Sequence, residues 1–251
     1  MTEPRSRSRE RFTGNIRVPE GLELSASQLA QLASLLLTVE QDEHAPTAVR
    51  DAAEASQRHL ADSLIGLEID ELRRACVMAD LGSGVGFPGV ALAVARPRAR
   101  IRLVESQRRK CDFLERMLAA ADVTNAEVVC SRVEEWARGA EAHDAVLARA
   151  LAPQPVVLEY GAPLLRQGGV LVDWRGRRNG AEEQAALRAS EELGLERLEI
   201  RHVEPFPGAL DRHLHVFVKR SETPPRFPRR AGIARKRPLG AGESASDRER
   251  R

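Results

Sequence analysis

The stretch "DLGSGVGFPG", residues 80–89, is the clearest indication of the fold class. It places four glycines and one proline within ten residues, directly after a short apolar run that is typical of a buried strand. Glycines between a strand and a helix let the backbone bend tightly and lie close to a ligand. The stretch therefore predicts a strand, a ligand-binding loop and a helix, the first unit of a doubly wound α/β fold.

The glycines of this loop fit two registers. Gly82, Gly84 and Gly86 form G-x-G-x-G, whereas counting from Gly84 gives the G-x-G-x-x-G of dinucleotide-binding proteins. Pro88 suits the first turn of the following helix, so the second register would place its first two glycines late for the end of the strand. The register that begins at Gly82 fits better.

Two acids indicate the ligand. Asp80, at the end of the first strand, is unfavourable beside a pyrophosphate but favourable beside the sulfonium and amino groups of S-adenosylmethionine (AdoMet). Glu105 ends the next strand pattern, "RIRLVE", where a carboxylate can accept hydrogen bonds from ribose hydroxyls. Because Glu105 suits NAD and AdoMet equally, it supports a nucleoside cofactor without separating the two.

From Cys76 to Arg220 strand and helix patterns alternate, which predicts an α/β fold with a mostly parallel seven-stranded sheet and helices on both faces. The expected division is a disordered N-terminal lead at 1–22, an N-terminal helical segment at 23–72, a cofactor-binding domain at 73–220 and a basic Pro/Arg-rich tail at 221–251. Composition leaves two interpretations of the tail open, a disordered terminus or an arm that binds phosphates.

Two helices are predicted before the sheet. Ser25 and Gln28 have capping-box spacing in front of apolar residues at helical period, and a second helical pattern runs over residues 47–67. In the second helix His59 and Asp62 lie one turn apart. We expect them to hydrogen-bond to each other and to brace the helices against the cofactor domain.

The composition is that of a globular chain, with 42% hydrophobic and 4% aromatic residues, so the core is expected to be mainly aliphatic. Cys76, Cys111 and Cys130 show no C-x-x-C pair and no histidine at ligand spacing, which predicts reduced thiols and neither a zinc site nor a disulfide framework. No apolar run approaches the roughly 20 residues of a membrane span. We expect a soluble, cytoplasmic protein without a metal or a membrane segment.

Seven segments, in this order, carry a resemblance to a known family: "RHLADS", "DLGSGVGFPGVALAVARP", "LVESQRRKCDFL", "SRVEEW", "ARALAP", "DRHLHVFVK" and "PPRFPRRAGIARKRPL". Together they resemble the RsmG (GidB) family of bacterial methyltransferases, which modify guanine in 16S ribosomal RNA. The resemblance runs from about Thr47 to about Leu239. Two places depart from it: "VEQDEHAPTAVRD" keeps Thr47, Val49, Arg50 and Asp51 but lacks the family's asparagines, and Arg175 replaces a lysine.

The resemblance implies a Rossmann-like class I AdoMet-dependent methyltransferase fold. It also implies S-adenosyl-L-methionine as cofactor and methylation at N7 of a guanine in 16S rRNA, guanine 527 in nucleotide numbering. The family's cofactor contacts fall on Gly82, Phe87, Val133, Glu134 and Arg149. The residue-level arguments add Asp80, Gly84, Gly86 and Glu105 as predicted cofactor contacts.

No catalytic residue is predicted, because N7 of guanine carries a lone pair and no proton. Attack on a sulfonium methyl group then requires alignment rather than a general base. Predicted contacts to RNA phosphates are Arg175, Arg177, Arg212, Arg229 and Arg230, with Arg178, Arg235, Lys236 and Arg237 as further candidates. Candidates for stacking on a base are Phe87, Trp174, Tyr160 and Phe227.

The expected partner is 16S rRNA or the small ribosomal subunit, and the chain is expected to act as a monomer. Two alternatives stay open. One is an NAD-dependent oxidoreductase that uses the other glycine register, disfavoured by Asp80 and by the absence of a Tyr-x-x-x-Lys pattern. The other is a non-catalytic ribosome-binding protein that keeps the methyltransferase fold.

Overall fold

A single sheet dominates the computed structural model, which describes residues 18–43, 45–47, 49 and 52–240. Seven strands in these ranges lie in the order β3-β2-β1-β4-β5-β7-β6. Their bounds are β1 Val77–Leu81, β2 Arg100–Glu105, β3 Ala126–Cys130, β4 His143–Arg149, β5 Leu165–Arg175, β6 Leu195–His202 and β7 His213–Lys219. The pairs among β1 to β5 are parallel, and β7 runs antiparallel to both of its neighbours. The predicted mostly parallel seven-stranded sheet is confirmed.

Helices cover both faces of the sheet. Their bounds are α1 Ala26–Gln41, α2 Ala52–Ala55, α3 Asp62–Leu64, α4 Asp70–Arg74, α5 Gly89–Ala95, α6 Arg108–Ala120, α7 Gln154–Gly161, α8 Gly180–Leu193 and α9 Ile233–Lys236. A π-helical turn, Ser56–Ala61, joins α2 to α3, and a 3₁₀ turn, Ile65–Glu68, follows α3. The predicted capping box begins α1: Gln28 N donates to Ser25 Oγ, and Ser25 N donates to Gln28 Oε1.

The core consists of two apolar clusters, one on each face. Because side chains alternate along a strand, Met78 of β1 belongs to one cluster and Ala79 to the other. The first cluster includes Leu36 of α1 and Phe113 of α6, and the second includes Val157 of α7. The N-terminal helices therefore share the core of the sheet.

The cysteines differ from the prediction. Cys111 of α6 and Cys130 at the end of β3 form a disulfide, and Cys76 is free and exposed. The prediction of reduced thiols is therefore wrong for two of the three. Packing of α6 beside β3 brings the two Cα atoms to 5.8 Å, inside the span of a disulfide, and sequence spacing carries no sign of that packing.

The C-terminal segment packs back onto the sheet domain. Phe227 and Ala234 are buried in the cluster that contains α7. A disordered terminus is therefore wrong for 221–240. Predicted features at residues 1–17 and 241–251, and at Arg50 and Asp51, lie outside the described residues.

The described part of the chain holds no helix that is both long and apolar enough to cross a membrane. In those same ranges, no three His, Cys, Asp or Glu side chains gather as metal ligands do.

Candidate active site

The glycine loop connects β1 with α5, as predicted. Gly82, Gly84 and Gly86 have φ values of 65°, 56° and 99°, which glycine adopts far more readily than other residues. A Cβ at Gly84 would meet only the carbonyl oxygen of Gly82, at 3.7 Å, so open space lies against this residue. A Cβ at Gly86 would lie 2.9 Å from Val90 Cγ2, so that glycine allows the loop to pack on α5. Gly84 is thus the position at which a ligand can approach the loop backbone.

Asp80 lies behind the loop. Its side chain is buried, and its Oδ2 accepts a hydrogen bond from Gly89 N at 3.1 Å. Burial raises the pKa of Asp80 to about 6, against the opposing effects of the Gly89 hydrogen bond and of Arg149. A Cβ at Gly89 would lie 2.7 Å from Asp80 Oδ2, so this glycine lets α5 approach β1. Asp80 therefore holds the loop to the start of α5 and is not among the residues that line the first cavity described below. Its contact with the cofactor stays a prediction.

A first cavity of about 220 Å³ opens above the carboxyl ends of β1 to β4. Four predicted cofactor contacts line it, namely Gly82, Glu105, Val133 and Glu134. The other lining residues are Val104, Ser106, Gln107, Lys110, Ser131, Arg132, Ala150, Leu151, Tyr160 and Arg235. This is the edge of an open parallel sheet at which ligands bind.

Glu105 links the glycine loop to the end of β2. Its Oε2 accepts a hydrogen bond from Gly84 N at 3.1 Å, and its Oε1 accepts from Ser106 N at 2.8 Å and from Gln107 N at 2.9 Å. A carboxylate offers about four acceptor positions. Glu105 can therefore hold the loop and still accept a hydrogen bond from a ligand hydroxyl.

Glu134 is held by groups from two distant parts of the chain. Its Oε1 accepts hydrogen bonds from the Tyr160 hydroxyl at 3.0 Å and from Gly232 N at 3.1 Å. Burial alone would raise the pKa of Glu134, but these hydrogen bonds, one from its own backbone and the charge of Arg132 outweigh it, so its pKa is lowered. Glu134 is therefore a fixed carboxylate on the wall of the first cavity.

A second cavity, of about 420 Å³, adjoins the first, because Ala150 lines both. Its lining consists of Arg58, His59, Asp62, Arg149, Ala150, Trp174, Arg175, Gly176, Arg177 and Arg212. Five of these residues are arginines and one is an acid, so the wall is strongly positive. Of the predicted cofactor contacts, Arg149 lies here and not in the first cavity.

Asp62 joins the N-terminal helices to the strand ends. Its Oδ2 accepts a hydrogen bond from Arg149 Nη1 at 2.9 Å, and Arg212 Nε lies 3.4 Å from its Oδ1. Its backbone oxygen accepts from Trp174 Nε1 at 2.8 Å. Trp174 is buried, so its ring serves mainly as core.

His59 and Asp62 do not hydrogen-bond to each other, contrary to the prediction. The π-helical turn Ser56–Ala61 widens the spacing here, and the Asp62 carboxylate is directed at Arg149. His59 stacks instead on Phe87, which is buried in the glycine loop. The predicted bracing of the helices against the cofactor domain is present, but through different partners.

The basic residues predicted to contact RNA divide into two groups. Arg175, Arg177 and Arg212 line the second cavity, where Arg177 is 85% exposed and Arg175 is held by Glu182 and by the Ala152 oxygen. Arg229 lies elsewhere and is ion-paired with the fully buried Glu159. Arg229 therefore already has a carboxylate partner, and its contact with phosphate stays a prediction.

The remaining basic candidates have separate surroundings. Arg230 is exposed in the C-terminal segment. Arg178 pairs with Glu183 through Nε at 2.9 Å and Nη2 at 2.6 Å. Arg235 lines the first cavity, although it was predicted to contact phosphate.

Sequence reasoning missed several lining residues of both cavities. Lys110 and Arg132 read as ordinary surface charges in the sequence, and Leu151 as an apolar residue after a strand. Arg58 carried one usable signal, its place in "RHLADS" next to His59. The others are brought to the site by tertiary packing.

The strand order, the glycine loop after β1 and the cavity above it define a class I AdoMet-dependent methyltransferase. The fold is shared with precorrin-6y C5,15-methyltransferase from Geobacter metallireducens, with TM-score 0.51, 16% identity and coverage of 72% of this chain and 97% of that one. It is also shared with the fibrillarin pre-rRNA processing protein of Methanococcus jannaschii, with TM-score 0.51, 17% identity and coverage of 64% and 74%.

The sequence profile of the family described as "GidB: rRNA small subunit methyltransferase G" matches residues 25–214. Two proteins named ribosomal RNA small subunit methyltransferase G are similar over most of their length. The one from Chloroflexus aggregans is 38% identical, covering 87% of this chain and 93% of that protein. The one from Moorella thermoacetica is 32% identical, covering 93% and 99%. The chain belongs to the rRNA small subunit methyltransferase G family.

Proposed function

We propose that this chain transfers a methyl group from AdoMet to N7 of a guanine in 16S rRNA, guanine 527 by family resemblance. The two cavities meet at Ala150, and this proposal rests mainly on their meeting. One combines a bare glycine backbone with the carboxylate of Glu105, and the other has five arginines in its wall. The family and the names of the relatives, which refer to rRNA of the small subunit, support this substrate.

The first cavity fits the chemistry of AdoMet. Gly82 and Glu105 line this cavity, and Glu105 can accept from ribose hydroxyls. Gly84 does not line the cavity, but the open space beside it lets a ligand extend along the loop. Val133 and Glu134 line the same cavity, and we place the adenine beside them. Bound AdoMet supplies an electrophilic methyl group on a sulfonium.

The second cavity is the proposed site of the guanine and its flanking phosphates. Arg149, fixed by Asp62, borders the junction, whereas Arg177 and Arg212 are open enough to contact phosphate. His59, which lines the second cavity, stacks on Phe87 of the glycine loop, and this stack closes the floor of the cavity near that loop. We propose that Phe87 shapes this floor and that Asp80 and Gly86 hold the loop.

The reaction needs no group that removes a proton, since N7 of guanine has none. Burial, reinforced by Arg149 and Arg58, lowers the pKa of His59 to about 4, so its ring is neutral near pH 7. A neutral ring adds no positive charge beside a purine that becomes cationic on methylation. The contribution of the protein is then alignment of nitrogen, methyl carbon and sulfur, and exclusion of water.

We further propose that the chain acts as a monomer in the cytoplasm, where an rRNA substrate would be met. The proposed division into residues 1–22, 23–72, 73–220 and 221–251 is kept, with the third part forming the methyltransferase domain.

Two measurements test the proposal. Calorimetry with AdoMet and with NAD distinguishes a methyltransferase from an oxidoreductase: we expect binding of AdoMet alone, and binding of NAD alone would contradict the proposed function.

Incubation with methyl-labelled AdoMet and either small ribosomal subunits or naked 16S rRNA tests the substrate. Label in RNA is expected, whereas AdoMet binding without transfer to either substrate would favour a non-catalytic RNA-binding protein.

A further inference from the structure

Residues 224–240 form a segment, here called the C-terminal strap, that is fastened to the sheet domain along its length. Phe227 and Ala234 are buried with the α7 cluster. At its far end, Gly240 O accepts hydrogen bonds from the Arg188 guanidinium. Gly240 also lies so close to Ala185 that a Cβ would collide with its backbone oxygen. The strap thus has anchors at several points.

The strongest anchor is an ion pair with a buried charge. Glu159 on α7 has no exposed side-chain surface, and an unpaired carboxylate in such a place is costly. Its Oε1 accepts from Arg229 N at 3.0 Å and from Arg229 Nε at 2.9 Å. The negative charge of Glu159 is therefore compensated by Arg229 only when the C-terminal strap is packed against α7.

From this anchor the strap continues to the wall of the first cavity. Gly232 N donates to Glu134 Oε1 at 3.1 Å, and Arg235 Nη2 donates to Leu151 O at 3.0 Å. Arg235 itself lines the cavity, beside Tyr160. It therefore stands between the turn after β3, which holds Glu134, and the loop after β4, which holds Leu151.

The position of Arg235 in the first cavity indicates which end of AdoMet it would contact. The reactive methyl group must face the second cavity, which adjoins the first at Ala150. As in the proposed function, we place the amino-acid end, which leaves the same sulfonium, by the glycine loop and the adenine beside Glu134, which lines the first cavity together with Arg235. A guanidinium group is planar, so it can stack on an aromatic ring, and its N–H groups can donate hydrogen bonds to ring nitrogens.

We propose that Arg235 binds the adenine ring of AdoMet and that the C-terminal strap is a part of the cofactor site. This adds a cofactor contact from a segment whose composition predicted either a disordered terminus or an arm that binds phosphates. It rests on AdoMet as the cofactor, and is independent of which RNA base receives the methyl group.

The test compares Arg235→Ala and Arg235→Lys with Arg237→Ala, an exposed arginine of the same strap that is not among the residues lining the cavity. Calorimetry uses two stable ligands, S-adenosylhomocysteine, and 5′-methylthioadenosine, which carries the adenine but no carboxylate. We expect Arg235→Ala to weaken both by about tenfold. Arg235→Lys should restore only part of the affinity, because lysine keeps the positive charge but lacks the planar guanidinium group. Arg237→Ala should stay within about twofold of the unaltered chain.

Two outcomes would overturn the proposal. A loss confined to S-adenosylhomocysteine would assign Arg235 to the carboxylate, and affinities equal to those of Arg237→Ala would remove it from the site. Thermal unfolding of each variant without ligand shows whether the strap is still docked. If Arg235 does not bind the adenine, the unaltered chain should still bind AdoMet and methylate RNA. Failure of this proposal is therefore distinguishable from failure of the proposed function.

Discussion

The imidazole ring of His59 lies parallel to the phenyl ring of Phe87, with centroids 4.8 Å apart and planes 7° apart. His59 belongs to the helical segment before the sheet, and Phe87 to the glycine loop after β1. The stack therefore connects the N-terminal helices directly to the loop that forms part of the first cavity. Burial is the main reason that the pKa of His59 falls to about 4.

This pKa makes the stability of the fold sensitive to acid. Between pH 6.5, the ordinary value for histidine, and about 4, the unfolded chain binds a proton at His59 and the folded chain does not. Stability is therefore lost as the pH falls through that window. We expect His59→Phe, which keeps a stacking ring, to lose less stability between pH 7 and pH 5 than the unaltered chain, by about 2 kcal/mol.

Urea unfolding at the two pH values measures this difference. His215 has a similarly lowered pKa, whereas Asp80 and Asp173 have raised values that act in the opposite direction. All three are present in both proteins, so the comparison isolates His59. An equal pH dependence in the two proteins would show that His59 is accessible to protons in the folded state.

The open space at Gly84 predicts a selective loss of cofactor binding. Gly84→Ala would place a methyl group where we expect AdoMet, and affinity measured by calorimetry should fall by at least about tenfold. Gly168→Ala is the matched control, because Gly168 also has positive φ, 79°, and no atom within 4 Å of its added Cβ. Both variants should lose about 1 kcal/mol of stability. Unchanged AdoMet affinity in Gly84→Ala would mean that the ligand lies elsewhere.

The pair formed by Arg229 and Glu159 predicts unequal effects for two adjacent arginines. Arg229→Ala would leave the buried carboxylate without its cation and should lower the free energy of unfolding by about 3 kcal/mol. Arg230→Ala, at an exposed position, should change it by less than about 0.5 kcal/mol. Chemical denaturation measures both. Equal values for the two variants would contradict the importance of this pair.

The exposed arginines of the second cavity predict the salt dependence of RNA binding. Arg177→Gln should weaken binding and reduce the slope of log affinity against log salt concentration by about 0.7 to 0.9. Arg98→Gln, an exposed arginine before β2 at the opposite end of the sheet, is the control and should leave the slope unchanged. If both substitutions act alike, the RNA surface is not centred on the second cavity.

The parts of the site that sequence could predict depend on local patterns and on the geometry of parallel strands. Glu105 lies beside the glycine loop, as expected, because the carboxyl ends of neighbouring parallel strands lie at one edge of the sheet. Its hydrogen bond from Gly84 N was not predicted, and its contact with a ribose stays a prediction. The G-x-G-x-G register followed from the place of Pro88, which directly precedes α5.

The parts that sequence could not predict depend on contacts between distant residues. Glu159 stands in an apolar helix, and its partner Arg229 lies 70 residues further along the chain. Composition alone made Arg229 a phosphate contact and the tail a disordered or RNA-binding segment. Asp80 was predicted as a cofactor contact at the end of a strand, and nothing in the sequence indicated that its carboxylate accepts a hydrogen bond from Gly89 N, nine residues further along.

The chemical identity of the product tests the proposed methyl transfer to N7 of guanine. Small ribosomal subunits and naked 16S rRNA that lack the modification would be incubated with labelled AdoMet, digested to nucleosides and analysed by mass spectrometry. We expect one labelled product, 7-methylguanosine, from a single position of at least one of the two substrates. Label on a different base, or on another atom of guanine, would contradict the proposed reaction.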